Sequence, residues 1–211
     1  MTHLVSNQPW GVIDFDTQTG QVVVREDWFY HWALWPGTRA QWTYAEKRAT
    51  HNRIDRSIWA VWSHRVPISV RPKAGNRPPP FGAQARVSFD VRWALRRGHW
   101  NVTVWKMPPG TDPTGLHRSF VNEARHVIEL NTADLAPRGA GNDAGASTNN
   151  FVTPPHEYGH TMSNPDEYNL GSPFLRDSAS LINIGRQVRG RHLHLVVDAL
   201  GRLAPQWTFS T

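Results

Sequence analysis

The segment of residues 153–168, TPPHEYGHTMSNPDEY, is the part of the chain whose residue types constrain its conformation most. His156 and His160 are four residues apart, so a helix places them one turn apart on a single face. Pro165 disfavours the helical conformation at the residue before it, so the helix must end before Asp166. The segment therefore predicts a short helix followed at once by a tight turn.

This arrangement has the residue types and spacing of a metal site. Two neutral imidazoles on one helix face suit Zn²⁺, at nitrogen distances of about 2.0–2.1 Å. Asp166 is the first side chain after the turn that can fold back toward them, and Glu167 and His192 are alternative third ligands because zinc accepts all three residue types. Three protein ligands leave one position open, as in catalytic zinc sites. Glu157 is then the candidate general base.

The pattern His156-Glu157-x-x-His160-x-x-Ser163-x-x-Asp166 resembles the metzincin zinc peptidases, in the variant with a third-ligand aspartate, as in snapalysin. The continuation through PDEY is also similar to metallopeptidase toxin domains of bacterial type VI secretion spike proteins. The resemblance covers roughly residues 43–203. It implies a zinc cofactor held by the two histidines and the aspartate, with Glu157 as the catalytic base.

Two departures from the family pattern affect the expected geometry. Metzincins usually have glycine at the position of Ser163, where a non-glycine residue costs about 1–2 kcal/mol in the left-handed conformation. We therefore expect the turn to differ in detail. The tract SLINIG at residues 180–185 resembles the family's turn beneath the metal, but Ile182 stands where methionine is usual. Isoleucine is a similar apolar filler, so we expect little effect on the chemistry.

The resemblance implies hydrolysis of a peptide bond in a protein or peptide substrate. Glu157 would take a proton from the attacking water and later deliver it to the leaving amine. The oxyanion needs a further donor. His192 is favoured because it follows the turn at 180–185, with Tyr168 and Arg191 as alternatives; an ordinary helical role for His192 remains open. An extended substrate would add to a sheet edge, for which residues 124–132 are the candidate strand.

Two other functions fit the same residues. One is a zinc amidase or endopeptidase acting on peptidoglycan peptides, and the other is a binding or adaptor module with a vestigial metal site. The likeness to toxin domains implies a secretion spike protein and an immunity protein as partners, with type VI-like delivery into a target cell envelope. The first twenty residues lack the basic start and apolar core of a classical signal peptide. Without such delivery, we expect a cytoplasmic location.

Composition narrows the class of protein. The 211 residues are 39% hydrophobic and 19% charged, as in a soluble chain with a sizeable core. The net charge is +6 and the pI is about 10.3, but the arginines are scattered, so we expect no dedicated nucleic-acid site. We interpret the charge as a preference for acidic surfaces such as bacterial envelopes. No stretch approaches 18 uncharged apolar residues, which predicts no transmembrane helix.

The fold class expected is α+β and zincin-like: a small twisted mixed sheet crossed by a long helix, then the motif helix and a short C-terminal helical subdomain. The long helix is predicted at 43–64, with Thr43 and Glu46 as a capping box. Its apolar stripe comprises His51, Ile54, Ile58, Trp59 and Trp62. On this stripe we interpret His51 as a core or edge histidine rather than a ligand. The closing helix is predicted at 191–200, and residues 207–209 as a tail.

The remaining segments complete the domain prediction. Residues 1–42 contain a β-hairpin at 11–25 and a Trp-rich segment at 27–42, for packing or docking. Residues 43–211 form the peptidase domain, to which 1–42 either belong or are attached as a separate segment. Residues 66–70 are predicted as a strand, and 86–93 and 99–105 as two strands joined by a hairpin at 95–98. Residues 139–150 are predicted as a flexible loop at the rim of the cleft.

Overall fold

The computed structural model describes residues 2–108, 110–111, 118–135 and 153–211. Over these residues the chain forms a mixed nine-stranded sheet with three α-helices, which confirms the α+β class. The narrower zincin-like architecture stays a prediction. The strands are β1 (His3–Gln8), β2 (Gly11–Asp16), β3 (Gln21–Leu34), β4 (Ile68–Pro72), β5 (Gln84–Ala94), β6 (Trp100–Lys106), β7 (Phe120–Asn122), β8 (Val127–Asn131) and β9 (Trp207–Ser210). The α-helices are α1 (Tyr44–Trp62), α2 (Thr153–Thr161) and α3 (His194–Leu203).

β3 is the strand around which the sheet is assembled, because it pairs with three others. Along one edge it pairs in parallel with β5 over residues 21–29. Along the other edge it pairs antiparallel with β2 over 22–25 and in parallel with β6 over 28–34. The predicted hairpin at 11–25 is therefore confirmed as β2 and the start of β3. The first 42 residues supply three strands to the same sheet as the rest of the chain.

The predicted hairpin between residues 86–93 and 99–105 is wrong. β5 and β6 lie on opposite edges of β3 and run in the same direction, so residues 95–98 cross over β3 instead of reversing the chain. Gly98 permits the crossing, because a Cβ there would overlap the backbone of Asp27. His99 holds it: its backbone N–H donates to Asp27 O (2.7 Å), and its Nδ1 accepts from the Asp27 N–H (2.9 Å).

α1 begins as the sequence predicts and packs on one face of the sheet. The Thr43 hydroxyl accepts from the Glu46 N–H at 3.2 Å, and the Glu46 carboxylate accepts from the Thr43 N–H at 2.8 Å. The predicted stripe is buried at residues 54, 58 and 62, but Trp59 is 51% exposed. His51 lies at the edge of the core, where Nδ1 is 3.1 Å from the Tyr30 hydroxyl and burial lowers the pKa of its ring.

The predicted substrate edge at residues 124–132 is not free. Its strand, β8, begins only at Val127, after a 3₁₀ turn at Glu123–Arg125, and pairs with β6 on one side. On the other side β7 covers it as an antiparallel partner over residues 127–129. A tight turn joins β7 to β8, because Asn122 Oδ1 accepts from the Arg125 N–H (3.1 Å). Among the described residues, the strand at this edge of the sheet is therefore β7.

The C-terminal residues return to the sheet. α3 follows a 3₁₀ turn at Gly190–Leu193, close to the predicted closing helix. The predicted tail at 207–209 is instead β9, which pairs antiparallel with β4. No helix of the described residues combines the length and apolarity needed to cross a membrane. The predicted loop at 139–150 lies outside the described residues.

Candidate metal centre

α2 is held between α1 and the sheet by contacts at both of its ends. Its first turn contains Pro154 and Pro155, which are tolerated there because the first N–H groups of a helix have no intrahelical acceptor. The Trp62 indole N–H of α1 donates to the Pro155 carbonyl at 2.8 Å. Most of α2 is buried, including His156 at 4% exposure. A side chain of α1 thus binds the backbone of α2, and most side chains of α2 are packed in the interior.

The two histidines of α2 direct the same nitrogen into one space. His156 Nδ1 donates to the Leu181 carbonyl (2.8 Å) and His160 Nδ1 to the Asn164 carbonyl (2.6 Å). A carbonyl oxygen can only accept, so both Nδ1 atoms carry hydrogen and a neutral ring presents its Nε2 lone pair. The two Nε2 atoms are 3.1 Å apart. Fixing the ring through its other nitrogen is the usual way in which proteins orient a metal-ligating histidine.

Asp166 completes the cluster, as the sequence predicts. Ser163 adopts the left-handed conformation (φ 55°) despite its side chain, and its hydroxyl donates to Glu123 at 2.8 Å. The turn that follows places Asp166 Oδ1 3.3 Å from Nε2 of His156 and 3.2 Å from Nε2 of His160. The departure from glycine therefore keeps the backbone geometry that glycine would adopt.

These three atoms fit a tetrahedral metal ion. Ligands at 2.0–2.1 Å in tetrahedral geometry are about 3.3 Å apart, and the three separations here are 3.1, 3.2 and 3.3 Å. Asp166 Oδ1 is buried, and among the described residues no donor makes a hydrogen bond to it. The cluster of His156, His160 and Asp166 can therefore hold a metal ion.

The charge balance of the cluster also favours a cation. Burial by itself would raise the pKa of Asp166, but the two imidazoles outweigh it and hold that pKa well below its ordinary value. Burial by itself would lower the pKa of His160, but Asp166 and Glu157 outweigh it and raise that pKa. Both shifts favour a carboxylate beside a positive charge in this space.

The tract at residues 180–185 lies beneath α2, as the resemblance implies. Gly159 lacks the Cβ that would overlap Ile182, so this fully buried side chain packs directly under the motif helix. The same tract supplies the Leu181 carbonyl that orients His156. The Ile182 carbonyl accepts from the Glu167 N–H at 3.0 Å. The turn at residues 180–185 therefore contacts both His156, within α2, and Glu167, the residue next to Asp166.

Neither alternative third ligand joins the cluster. Glu167 accepts two hydrogen bonds from Arg191, at 2.6 and 2.9 Å, and lies 3.1 Å from His192 Nε2. His192 is 1% exposed, and its Nδ1 accepts from the Arg189 N–H at 3.1 Å. Burial lowers the pKa of His192 to about 4. The catalytic role predicted for His192 stays untested, but both of its ring nitrogens have partners away from the cluster.

Glu157 and Tyr168 flank the cluster instead. Glu157 is 6% exposed, and burial raises the pKa of its carboxyl although the two histidines act to lower it. The Tyr168 ring stacks on His156, with centroids 6.2 Å apart and planes 14° apart, and is 43% exposed. Its phenol interacts with the Asp166 carboxylate. Tyr168 therefore has the solvent-facing position that His192 lacks.

Sequence reasoning missed two residues that support the site. Asn164 donates from its side-chain amide to the carbonyls of Gly159 (2.9 Å) and His192 (3.2 Å), joining the end of α2 to the C-terminal segment. Glu26 lies buried in β3 against α2. The sequence did indicate that Glu26 is buried, because position 26 is in phase with the alternating apolar residues 22, 24, 28 and 30.

Comparisons with protein families, with curated protein sequences and with solved structures each find no match for this chain. The likeness to metzincins therefore stands on the motif and its flanking residues alone.

Proposed function

We propose that this protein is a zinc-dependent metallopeptidase. The observation that carries the proposal is the convergence of two imidazole nitrogens and one carboxylate oxygen at tetrahedral separations, next to the buried carboxyl of Glu157. Two imidazoles and a carboxylate are the donor set of catalytic zinc sites with three protein ligands. His156, His160 and Asp166 would hold the ion, and the fourth position would face substrate.

The proposed chemistry is addition of water to a peptide carbonyl followed by cleavage of the C–N bond. A bound zinc ion supplies Lewis acidity, which polarises the carbonyl and makes water a nucleophile near neutral pH. Glu157 takes one proton from the attacking water as the new C–O bond forms. It then returns that proton to the amide nitrogen, which leaves as an amine. The carboxyl is thus unchanged over the cycle.

Tyr168 is the side chain that we assign to the developing oxyanion. A tyrosine phenol is protonated at neutral pH and can donate a hydrogen bond to a negatively charged oxygen. Its stacking on His156 places it beside the cluster, and its exposure leaves it accessible to substrate. His192 is buried and Arg191 is paired with Glu167 and Asp177, whereas the Tyr168 phenol faces solvent although it interacts with Asp166.

An extended substrate would add to β7, the edge strand beside β8 among the described residues, rather than to β8 itself. The hydrogen bond from Ser163 to Glu123 joins the turn after β7 to the turn that carries Asp166, so this edge lies beside the cluster. A platform of three residues suits a short peptide segment.

The second candidate substrate is the peptide of peptidoglycan. The net charge of +6 favours it, because bacterial envelopes are anionic. Export by type VI-like delivery, with a spike protein and an immunity protein as partners, belongs to this proposal through the resemblance alone. A binding module with a vestigial site is the remaining alternative.

Metal content and hydrolysis test the proposal together. We expect about one equivalent of zinc in protein purified without an affinity tag, by elemental analysis. We expect chelator-sensitive cleavage of denatured casein or of purified sacculi, assayed in parallel, and zinc should restore it. Zinc below about a tenth of an equivalent, with none taken up on addition, would rule out the metal site. Zinc binding without cleavage of either substrate would favour the vestigial module.

A further inference from the structure

Glu26 is a carboxyl group buried completely between β3 and α2. It is 0% exposed and lies in phase with the apolar residues of β3 that face the motif helix. Its Oε2 accepts from the Trp28 indole N–H at 2.8 Å. Its Oε1 lies 2.5 Å from the hydroxyl oxygen of Thr161, the residue after His160. The carboxyl therefore connects the central strand to the last turn of α2.

The hydrogen atoms available at this contact indicate the protonation state of Glu26. The Thr161 hydroxyl oxygen is also 2.6 Å from the Tyr158 carbonyl oxygen, which can only accept. A hydroxyl has a single hydrogen. If Thr161 donates it to Tyr158 O, the hydrogen between Thr161 and Glu26 must come from the carboxyl. A neutral carboxylic acid satisfies all three contacts, whereas a carboxylate leaves two acceptors competing for one hydrogen.

The surroundings of Glu26 offer a negative charge hydrogen bonds but no positively charged partner among the described residues. From α2 it faces Tyr158, a buried phenol whose own pKa burial raises, and from β2 it faces Gly11. Its chain neighbours Arg25 and Asp27 lie on the opposite face of the sheet. No charged side chain of the described residues acts on Glu26, and burial, against the hydrogen bonds from Thr161 and Trp28, raises its pKa to about 8.

We propose that Glu26 is a neutral carboxylic acid in the folded protein and a positioning residue that holds α2, and through it His160, against β3. The path of hydrogen bonds runs from Trp28 through Glu26 and Thr161 to the Tyr158 carbonyl. This role concerns the placement of the helix and does not depend on the reaction that the cluster performs.

Glu26→Gln tests the protonation state, because an amide has the shape of the neutral acid and can donate to Thr161 while accepting from Trp28. A carboxyl with a raised pKa stabilises the fold at low pH, and this contribution is lost as pH rises toward the folded pKa. Glu26→Gln has no ionisable group at this position, so it does not lose stability in this way as the pH rises. Relative to the parent, its folding equilibrium constant should therefore improve about tenfold per pH unit from about pH 4.5 to 8, then level off.

Urea unfolding across this pH range makes the measurement, and Glu129→Gln is the matched control. Glu129 accepts from the Trp105 indole N–H at 3.1 Å, which reproduces the Trp28–Glu26 contact on a less buried carboxylate. The control shows what a change from glutamate to glutamine beside a tryptophan does to stability, and the pH profile of Glu26→Gln should differ from it. A Glu26→Gln variant that follows the parent at every pH would overturn the proposal.

Infrared spectroscopy and zinc affinity test the proposal independently of the free energy of unfolding. At pH 6 the parent should show a protonated carboxyl band that is weaker in Glu26→Gln; the same spectrum in this region from both proteins would refute the neutral acid. Glu26→Gln should bind zinc like the parent. Thr161→Val, which keeps the volume but removes the hydroxyl, should weaken zinc binding about tenfold. Unchanged affinity in Thr161→Val would refute the positioning role, whatever the outcome of the hydrolysis assays.

Discussion

Asp166 and Glu167 are neighbours in the chain, but they lie in clusters of opposite kind. Asp166 meets two imidazole nitrogens that can each present a lone pair, so its cluster is made of acceptors. Glu167 meets the guanidinium of Arg191, which also donates to Asp177 at 2.7 Å. The second cluster is balanced by its own positive groups, whereas the first brings three ligand atoms together where a metal ion can bind.

The cluster at Asp166 can bind a metal ion, whereas the cluster at Glu167 holds neighbouring segments of the chain in place. Two imidazole nitrogens and a carboxylate oxygen directed into one space are the donor set of a metal site, so the cluster at Asp166 is suited to a metal ion. The pairs around Glu167 join the ligand turn to the segment before α3 and hold the turn in place. Two consecutive carboxylates therefore differ in role because their partners differ.

The largest effect that distinguishes the two clusters concerns metal affinity. Asp166→Ala removes a ligand and should weaken zinc binding by well over 100-fold, measured by competition with a chelating dye. Glu167→Gln changes only a supporting contact and should weaken binding by about 10–100-fold or less. If Asp166→Ala binds zinc like the parent, the cluster is not the metal site.

Next in size is the separation of ligand from base on α2. Glu157→Gln should lower kcat by at least about 100-fold, because the amide cannot accept a proton from water. Zinc content and Tm should stay near those of the parent, since Glu157 is not a ligand in this scheme. Loss of zinc from the variant would show instead that the carboxylate binds the metal.

The ion pairs of the cluster around Glu167 should have their clearest effect on the free energy of unfolding. Arg191→Met removes the guanidinium partner of the buried carboxylate of Glu167, which should cost about 2–3 kcal/mol in the free energy of unfolding. Arg189→Met is the control, because its ion pair with Asp177 is more exposed and should be worth less than about 1 kcal/mol. Equal losses in the two variants, measured by urea unfolding, would contradict this ranking.

The smallest effect is expected at the turn between the clusters. Ser163→Gly removes the strain of a residue with a Cβ in the left-handed conformation, which is worth about 1–2 kcal/mol. It also removes the hydrogen bond to Glu123 and raises the conformational entropy of the unfolded chain, and both of these changes lower stability. We expect a net gain of about 1 kcal/mol or less, with unchanged zinc affinity. A loss of more than about 1 kcal/mol would mean that the serine side chain, rather than the backbone, holds the turn.

The features that sequence reasoning identified are those whose cause is local. The capping box at Thr43, the spacing of His156 and His160 and the stop at Pro165 each depend on residues within one or two turns. Asp166 could be predicted as the partner of the histidines because a short turn limits which side chain can return. The fold class also followed from alternating and helical periodicity.

The features that were missed depend on contacts between distant segments. Residues 86–93 and 99–105 alternate like a hairpin, and alternation does not show that β3 lies between them. The cover of β8 by β7 and the pairing of β9 with β4 are likewise choices of strand partner.

The sequence by itself determined a short helix with two histidines on one face, and an aspartate returned by the turn. Only the tertiary structure decided that Leu181 and Asn164 orient the two rings, that Arg191 engages Glu167, and that Glu26 is buried beneath α2. The physical reason is that helix periodicity and turn chemistry act within a few residues. The partner of a buried charge is set by which distant segments pack together, since a charge withdrawn from water must find its partner within the fold.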